Sequence, residues 1–328
     1  MESAILTAAQ GFNLRLTKTK IYRDKFGFIC TTNPGPVRIQ RWSQKAHVHA
    51  DDGAGGSAIA SIMFQHEIKE CLHKRGLGVD RFVVSHFGTP YVKLGDDVYT
   101  ACYALSHPTV DFTDTAAFLD VTAHVAKMHQ CIAEANIHTA PLIRAKIGDD
   151  ITKSLNHLTK LRKKLLKAGR FSDFDMLFLR GYEKFVPHID AFCQICENTL
   201  TNKGHICHNL LKEENIYLQD GKIVVTNFVE AAPMHHFYDL AYITKRHIRA
   251  QMPLGDIAPF GRIFQTYVAN NPGCTPDEEL FRRILAYPDK FIKVTTDYYS
   301  KKRSFAPNTY LSRMGECLRM GDIINEAP

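Results

Sequence analysis

The spacing of apolar residues changes once along this chain of 328 residues, and that change restricts the fold more than any other feature. Ahead of about Ser106, short segments alternate apolar and polar side chains with the two-residue period of strands. They are "NLRLTKTKIYRDK", "FGFICTT" and "GPVRIQRW", then "DRFVVSH", "TPYVKL" and "DVYTACYAL". Gly27 and "NPG" divide the first three into an antiparallel meander. A single helix, "IASIMFQHEIKECLHKRG", lies among them and ends at Gly76 as a helix with a C-terminal glycine does. The Gly- and Asp-rich "SQKAHVHADDGAGGSA" ahead of it reads as a mobile loop. Beyond Ser106 the period becomes helical, through "TAAFLDVTAHVAKMHQCIAEA", "ITKSLNHLTKLRKKLLKAGR" and "FDMLFLRGYEKFVPHIDAFCQICENTL". Strands gathered first and helices after predict an α+β fold. Two lobes are expected, a small β-rich one over residues 1–106 and a larger, mainly helical one over 107–328, joined by a hinge.

Composition narrows the function classes. With 45% hydrophobic and 23% charged residues the chain can bury a sizeable core. No apolar run reaches the roughly 20 residues that span a bilayer, so no transmembrane segment is expected. "MESAILTAAQGFNLRL" lacks a basic start followed by a continuous apolar stretch, so no signal peptide is expected and synthesis is placed in the cytoplasm. Nine cysteines, an odd number spread along the chain, argue against a disulfide framework. The one close pair, Cys193 and Cys196, falls on an apolar helical run and reads as core thiols, not as half of a zinc site.

The net charge of +7 is concentrated in one place. Lys153, Lys160, Arg162, Lys163, Lys164, Lys167 and Arg170 follow one another with no acidic residue between them. Ile151, Leu155, Leu158, Leu161 and Leu165 recur at helical spacing, so the segment is an amphipathic helix with a basic outer face. A solvated face is the plain reading; the sharper one is a docking surface for an anionic partner, whether nucleic acid, acidic protein or membrane. No aromatic residue interleaves the basic ones, which weakens the case for single-stranded nucleic acid.

One stretch interrupts the helical part: "GHICHNLLKEENIYLQDGKIVVTNFVEAA", Gly204 to Ala232. An apolar run leads into His208, Asn215 follows seven positions on, and two short strands flank a turn at Gly221 before Asn227 and Phe228. Phosphoryl transfer to a hydroxyl uses a similar layout, H-x-D-x-x-x-x-N, a hairpin, then D-F. There one carboxylate orients the acceptor hydroxyl, and an amide and a second carboxylate hold Mg²⁺. His208, Leu210, Lys212, Asn215 and Asn227 fall in that register, and "HHFYDLA" further on supplies Asp239.

That "D-L-A" resembles the one that follows the metal carboxylate in aminoglycoside- and choline-kinase-like phosphotransferases, where it braces the catalytic loop. The chain is most similar to the CotS-type spore-coat proteins, a bacterial branch of that superfamily. "IYRDKFGFICTTNPGPVRIQRW" looks like the family's opening hairpin, "AKMHQ" resembles its "L-A-x-F-H", and "KAGRFSDFDMLFLRGYEKF" is similar to the segment that opens its long helix. The resemblance implies a bilobal protein-kinase-like fold with the catalytic-loop equivalent at 204–230. It also implies a role in spore-coat assembly with other coat or sporulation proteins, and a final location in the spore coat.

The departures from the family pattern fall on its working positions. Gln40 stands where the phosphate-binding lysine belongs, Leu210 replaces the catalytic carboxylate, and Asn227 replaces the main Mg²⁺ carboxylate. Leucine cannot accept a proton or orient a hydroxyl, which removes a factor of about 10²–10⁴. A neutral amide is a poor ligand for a hard dication. The reading is a pseudokinase that acts by binding, with a vestigial cleft of Arg38, His208, Lys212, Asn215 and Asp239, and no cofactor or metal expected. The alternatives are an active ATP- and Mg-dependent phosphotransferase using Arg38 with Glu213 or Glu230, Glu214 beside Asn215 being a lesser choice, and an adaptor for an anionic partner through the basic helix. A register slip of one residue would bring Asn209 into the cleft in place of Leu210.

Overall fold

The computed structural model describes residues 2–23, 27–33, 35–42, 58–105, 108–135, 137, 147–198, 206–300 and 307–326. The chain divides into two compact units. The first comprises Met1–Asp111, His124–Arg144 and Gly204–Pro233; the second comprises Phe112–Ala123, Ala145–Lys203 and Met234–Pro328. This division follows contacts, and the lobe boundary at 106/107 stands as a proposal.

In the first unit a helix α1 (Glu2–Gly11) precedes strands β1 (Arg15–Arg23), β2 (Phe28–Asn33) and β3 (Pro36–Trp42). Helix α2 (Ala58–Lys74), β4 (Gly78–Val79), β5 (Val92–Leu94) and β6 (Asp97–Tyr103) follow. The main sheet is antiparallel in the order β1-β2-β3-β6-β5. Alternation along β3 sorts its side chains. Val37 and Ile39 join Ile5, Ala8, Ala9 and Phe12 of the α1 side in one buried cluster. Trp42 joins Ala58 and Ile62 of α2 with Phe82 and Val98 in another. Arg38 and Gln40 therefore share the face of β3 that looks toward α2.

Two local expectations are corrected. Helix α1 is absent from the strand reading of the N-terminal third, although Ile5, Ala8, Ala9 and Phe12 carry a helical spacing. "DRFVVSH" is not a strand: it contributes one isolated bridge, Phe82 to Cys102. Its chain turns away at Ser85, whose backbone N–H donates to Thr89 O at 2.8 Å and whose hydroxyl lies 2.8 Å from that of Thr89. The loop expected over "SQKAHVHADDGAGGSA" lies outside the described residues apart from Ala58.

Helix α3 (Thr115–Ala135) contributes to both units. Helices α4 (Ile147–Ala168) and α5 (Asp173–Asn198) form a helical hairpin in the second unit. The chain then returns to the first unit as β7 (Ile206–Cys207), β8 (Ile216–Gln219), β9 (Lys222–Val225) and β10 (Ala232–Pro233). Asp220 and Gly221, both at positive φ, make the two-residue turn between β8 and β9. β9 also pairs in parallel with β4. A Cβ at Gly78 would lie 2.3 Å from Ile223 O, so only glycine lets those backbones approach this closely.

The second unit closes with α6 (Phe237–Gln251), α7 (Phe260–Ala269), α8 (Glu278–Ala286), α9 (Asp289–Ser300) and α10 (Pro307–Glu326). Its core is aromatic: Phe178 stacks on Phe291, and Phe174 stacks on Tyr298 with centroids 3.7 Å apart. Among the described residues no helix is long and apolar enough to cross a membrane.

Candidate functional site: a kinase-type loop closed on itself

The loop from Cys207 to Ala232 is shut at its base by the antiparallel pairing of β7 with β10. His208 is its hub. One ring nitrogen, Nε2, lies 2.9 Å from Thr226 O, and the other, Nδ1, accepts the Leu210 N–H at 3.2 Å. Those partners assign the tautomer: the proton is on Nε2 and Nδ1 is bare. The ring also meets Phe228 edge-on with centroids 4.5 Å apart. His208 is thereby a brace, the role in which such a loop uses a buried, doubly engaged imidazole.

Asn215 is the second hub. Its Nδ2 donates to Leu210 O at 2.8 Å, and its own carbonyl accepts from the Thr226 backbone at 2.9 Å and hydroxyl at 3.2 Å. Its Oδ1 accepts from Asn227 Nδ2 at 3.4 Å. Asn227 is left-handed at φ 65° and ψ 60°, a conformation asparagine tolerates better than most residues. One N–H···O contact thus links the two amides. A hard dication needs carboxylate or carbonyl oxygens turned toward it. This pair offers two neutral amide oxygens and no carboxylate, and that of Asn215 is already met by an N–H, a poor set for Mg²⁺.

Leu210 is half-buried, whereas its neighbour Leu211 is fully buried in the core. Asn209, the alternative under a register slip, is left-handed at φ 60° and donates Nδ2 to Glu230 O at 3.0 Å. Lys212, Glu213 and Glu214 are half-buried, and Glu230 is exposed. Gln40 sits opposite Thr100 and Arg38 opposite Cys102 in the β3–β6 ladder, both half-buried. The structure brings His208, Leu210, Asn215 and Asn227 into one hydrogen-bonded group; Gln40 and Arg38 belong to the sheet of the same unit. Asp239 is fully buried in the first turn of α6, in the second unit.

Sequence reasoning missed Lys69. It is 2% exposed, on the buried stripe of α2 with Ile62, Gln65, Ile68 and Leu72. Its Nζ lies 3.0 Å from Asp80 Oδ1, an ion pair without hydrogen-bond alignment. The same ammonium sits 4.0 Å from the Phe82 ring centroid and 6.0 Å from that of Phe228, the residue after Asn227. Val229 packs on the neighbouring Trp42–Ile62 cluster. Among the described residues of the unit this buried cation comes from the helix, beside an acid and two rings, and a lysine on a mostly apolar helical stripe was the signal for it. Burial pushes the Cys102 thiol up, while Lys69 and Arg38 nearby pull it back.

No protein-family model and no curated protein matches the chain. Solved structures do. An aminoglycoside phosphotransferase from Alicyclobacillus acidocaldarius superposes with a TM-score of 0.75 at 16% identity, covering 98% of this chain and 93% of that one. A spectinomycin phosphotransferase in its AMP-bound complex gives 0.64 at 12% identity, covering 99% and 97%. The amicoumacin kinase hAmiN, in complex with AMP-PNP, Ca²⁺ and amicoumacin, gives 0.61 at 11% identity, covering 100% and 94%. The chain has the α+β, protein-kinase-like fold of the aminoglycoside phosphotransferases.

Proposed function

We propose that this protein is a pseudokinase: it keeps the fold of a small-molecule phosphotransferase and acts by binding. The amide pair of Asn215 and Asn227 carries the reading. With a carboxylate at 227, two oxygens would face one another and call for a cation. With an amide, the loop closes without one. Leu210, at the position of the hydroxyl-orienting carboxylate, adds no acceptor, and Gln40 no phosphate-binding charge. The resemblance to CotS-type proteins supports a place in spore-coat assembly among other coat or sporulation proteins, after synthesis in the cytoplasm. In this reading Arg38, His208, Lys212 and Asn215 are remnants of a nucleotide site of the first unit, and the family resemblance alone assigns Asp239 a part.

Thermal unfolding with and without millimolar Mg-ATP tests it. The expected result is no Mg-dependent stabilisation and no ATP turnover. A gain of about 4 kcal/mol, the value for a micromolar Kd at millimolar ligand, would overturn it. Turnover would select the rival, an active phosphotransferase using Arg38 with Glu213 or Glu230.

A further inference from the structure

The basic helix and the turn that follows it form a surface that the kinase fold does not account for. Lys153, Lys160, Lys163, Lys164 and Lys167 are all exposed. At 3.6 residues per turn they occupy an arc of about 100° on α4. Ile151, Leu158 and Leu165, on the opposite side, are buried. Arg162 is not part of the stripe: it turns aside to Glu183, with Nη2 2.7 Å from the carboxylate, and lies over the Tyr182 ring. At the end of the stripe, where α4 turns into α5, three large apolar side chains are left in water. Leu166 is 49% exposed, Phe171 40% and Met176 55%. Lys167 and Arg170 stand among them, both exposed. Of the nearby acids Asp173 is exposed, whereas Asp175 is buried, accepting from the Ser172 backbone and from Tyr299.

We propose that the α4–α5 hairpin docks on an anionic lipid bilayer, cations on the headgroups and Leu166, Phe171 and Met176 in the acyl boundary. A lysine stripe alone would suit any polyanion. The apolar tip beside it separates the candidates. Exposed leucine and methionine contribute nothing to a phosphodiester backbone, whereas the headgroup–acyl boundary takes apolar tips and cations together. Single-stranded nucleic acid is read by aromatic platforms between cations, and the stripe from Lys153 to Lys167 contains none. Each lysine near an anionic surface raises partition about fivefold, an effect that falls off within a Debye length.

The test is co-sedimentation of the full chain with vesicles of phosphatidylcholine alone or with roughly a third phosphatidylserine, heparin serving as a soluble polyanion. Retention is expected on the phosphatidylserine vesicles only, and lost in high salt. Lys163→Glu/Lys164→Glu/Lys167→Glu should weaken it on the order of a hundredfold or more. Leu166→Ser/Phe171→Ser should weaken vesicle retention about tenfold and leave heparin binding unchanged. These positions are exposed, and circular dichroism verifies folding; if the double variant misfolds, Phe171→Ser alone carries that arm. Retention that ignores the apolar substitutions, equal capture by heparin and vesicles, or no retention at all would each overturn the assignment.

Discussion

Two hairpins in this molecule point their polar groups in opposite directions. In β8–β9 and the loop ahead of it, His208, Asn209, Asn215, Thr226 and Asn227 direct hydrogen bonds at atoms of the same segment. Along α4 Lys160, Lys163, Lys164 and Lys167 are exposed, as are three large apolar side chains at the turn into α5. A catalytic loop has to present acceptors to a substrate, and the proposed pseudokinase reading takes this loop, whose groups answer each other, as scaffold. A face that leaves leucine, phenylalanine and methionine in water has something to gain from a partner. On the two proposals made above, function lies on the helical surface and the loop serves stability.

Acidification should have the largest effect, because the surroundings of four histidines disfavour their charged form. Burial lowers His66, His188 and His247, and burial with Lys127 holds His124 at about 4. A depressed histidine stays neutral in the folded state while the unfolded chain takes up a proton. Stability is therefore complete above the unfolded value of 6.5 and is lost as pH falls toward 4. His124 alone accounts for roughly 3 kcal/mol. Urea unfolding at pH 7 and pH 4.5 measures the drop, and His124→Gln should flatten it.

Lys69→Met comes next. It strands Asp80, which has an 11% exposed side chain, for a loss of about 2–3 kcal/mol. Lys69→Met/Asp80→Leu should recover most of it. His208→Ala removes the braces to Thr226 and Leu210 together with the Phe228 contact, and should cost about 2 kcal/mol. Reversing the charge of Lys163, Lys164 and Lys167 should stay within about 0.5 kcal/mol. Equal losses from the loop and helix substitutions in denaturant titrations would break the contrast between the hairpins.

A substitution inside the loop sharpens it. Asn227→Asp turns a carboxylate toward Asn215 Oδ1 and should cost about 1 kcal/mol without metal, a deficit that millimolar Mg²⁺ reverses. Combined with Gln40→Lys and Leu210→Asp, it should raise Mg-ATP affinity, read by calorimetry. If Mg²⁺ leaves the Asn227→Asp variant unmoved, the amide pair is not standing in a metal's place.

What could be read from the sequence was what depends on local spacing. The strands at 28–33 and 36–42, the helix ending near Gly76, the turn at Asp220–Gly221 and the amphipathic α4 all announce themselves within a dozen residues. Helix α1 carried the same kind of signal, but its Ala-rich stripe was read only against the pattern of a signal peptide. The segment 81–85 alternates like a strand, yet Ser85 pairs with Thr89 instead of extending the ladder, a competition that alternation cannot reveal. The β8–β9 hairpin and its turn at Gly221 were legible from spacing. The loop's inward bonding was not, because an Asn–Asn contact across the hairpin depends on rotamers and backbone φ. Lys69 needed Asp80, Phe82 and Phe228 to be in place before its burial made sense.

The parallel pairing of β4 with β9 has a consequence in time. It joins Gly78 to Val224, so the first unit cannot be completed until the chain has been made through the second hairpin. At ordinary synthesis rates the ribosome needs on the order of ten seconds for the intervening segment. The α4–α5 segment is made in that interval, whereas the residues it packs on, Phe291 against Phe178 and Tyr298 against Phe174, come only after β9. The nascent chain thus carries its lysine-rich segment out ahead of both the loop's closure and the helices that pack on α5.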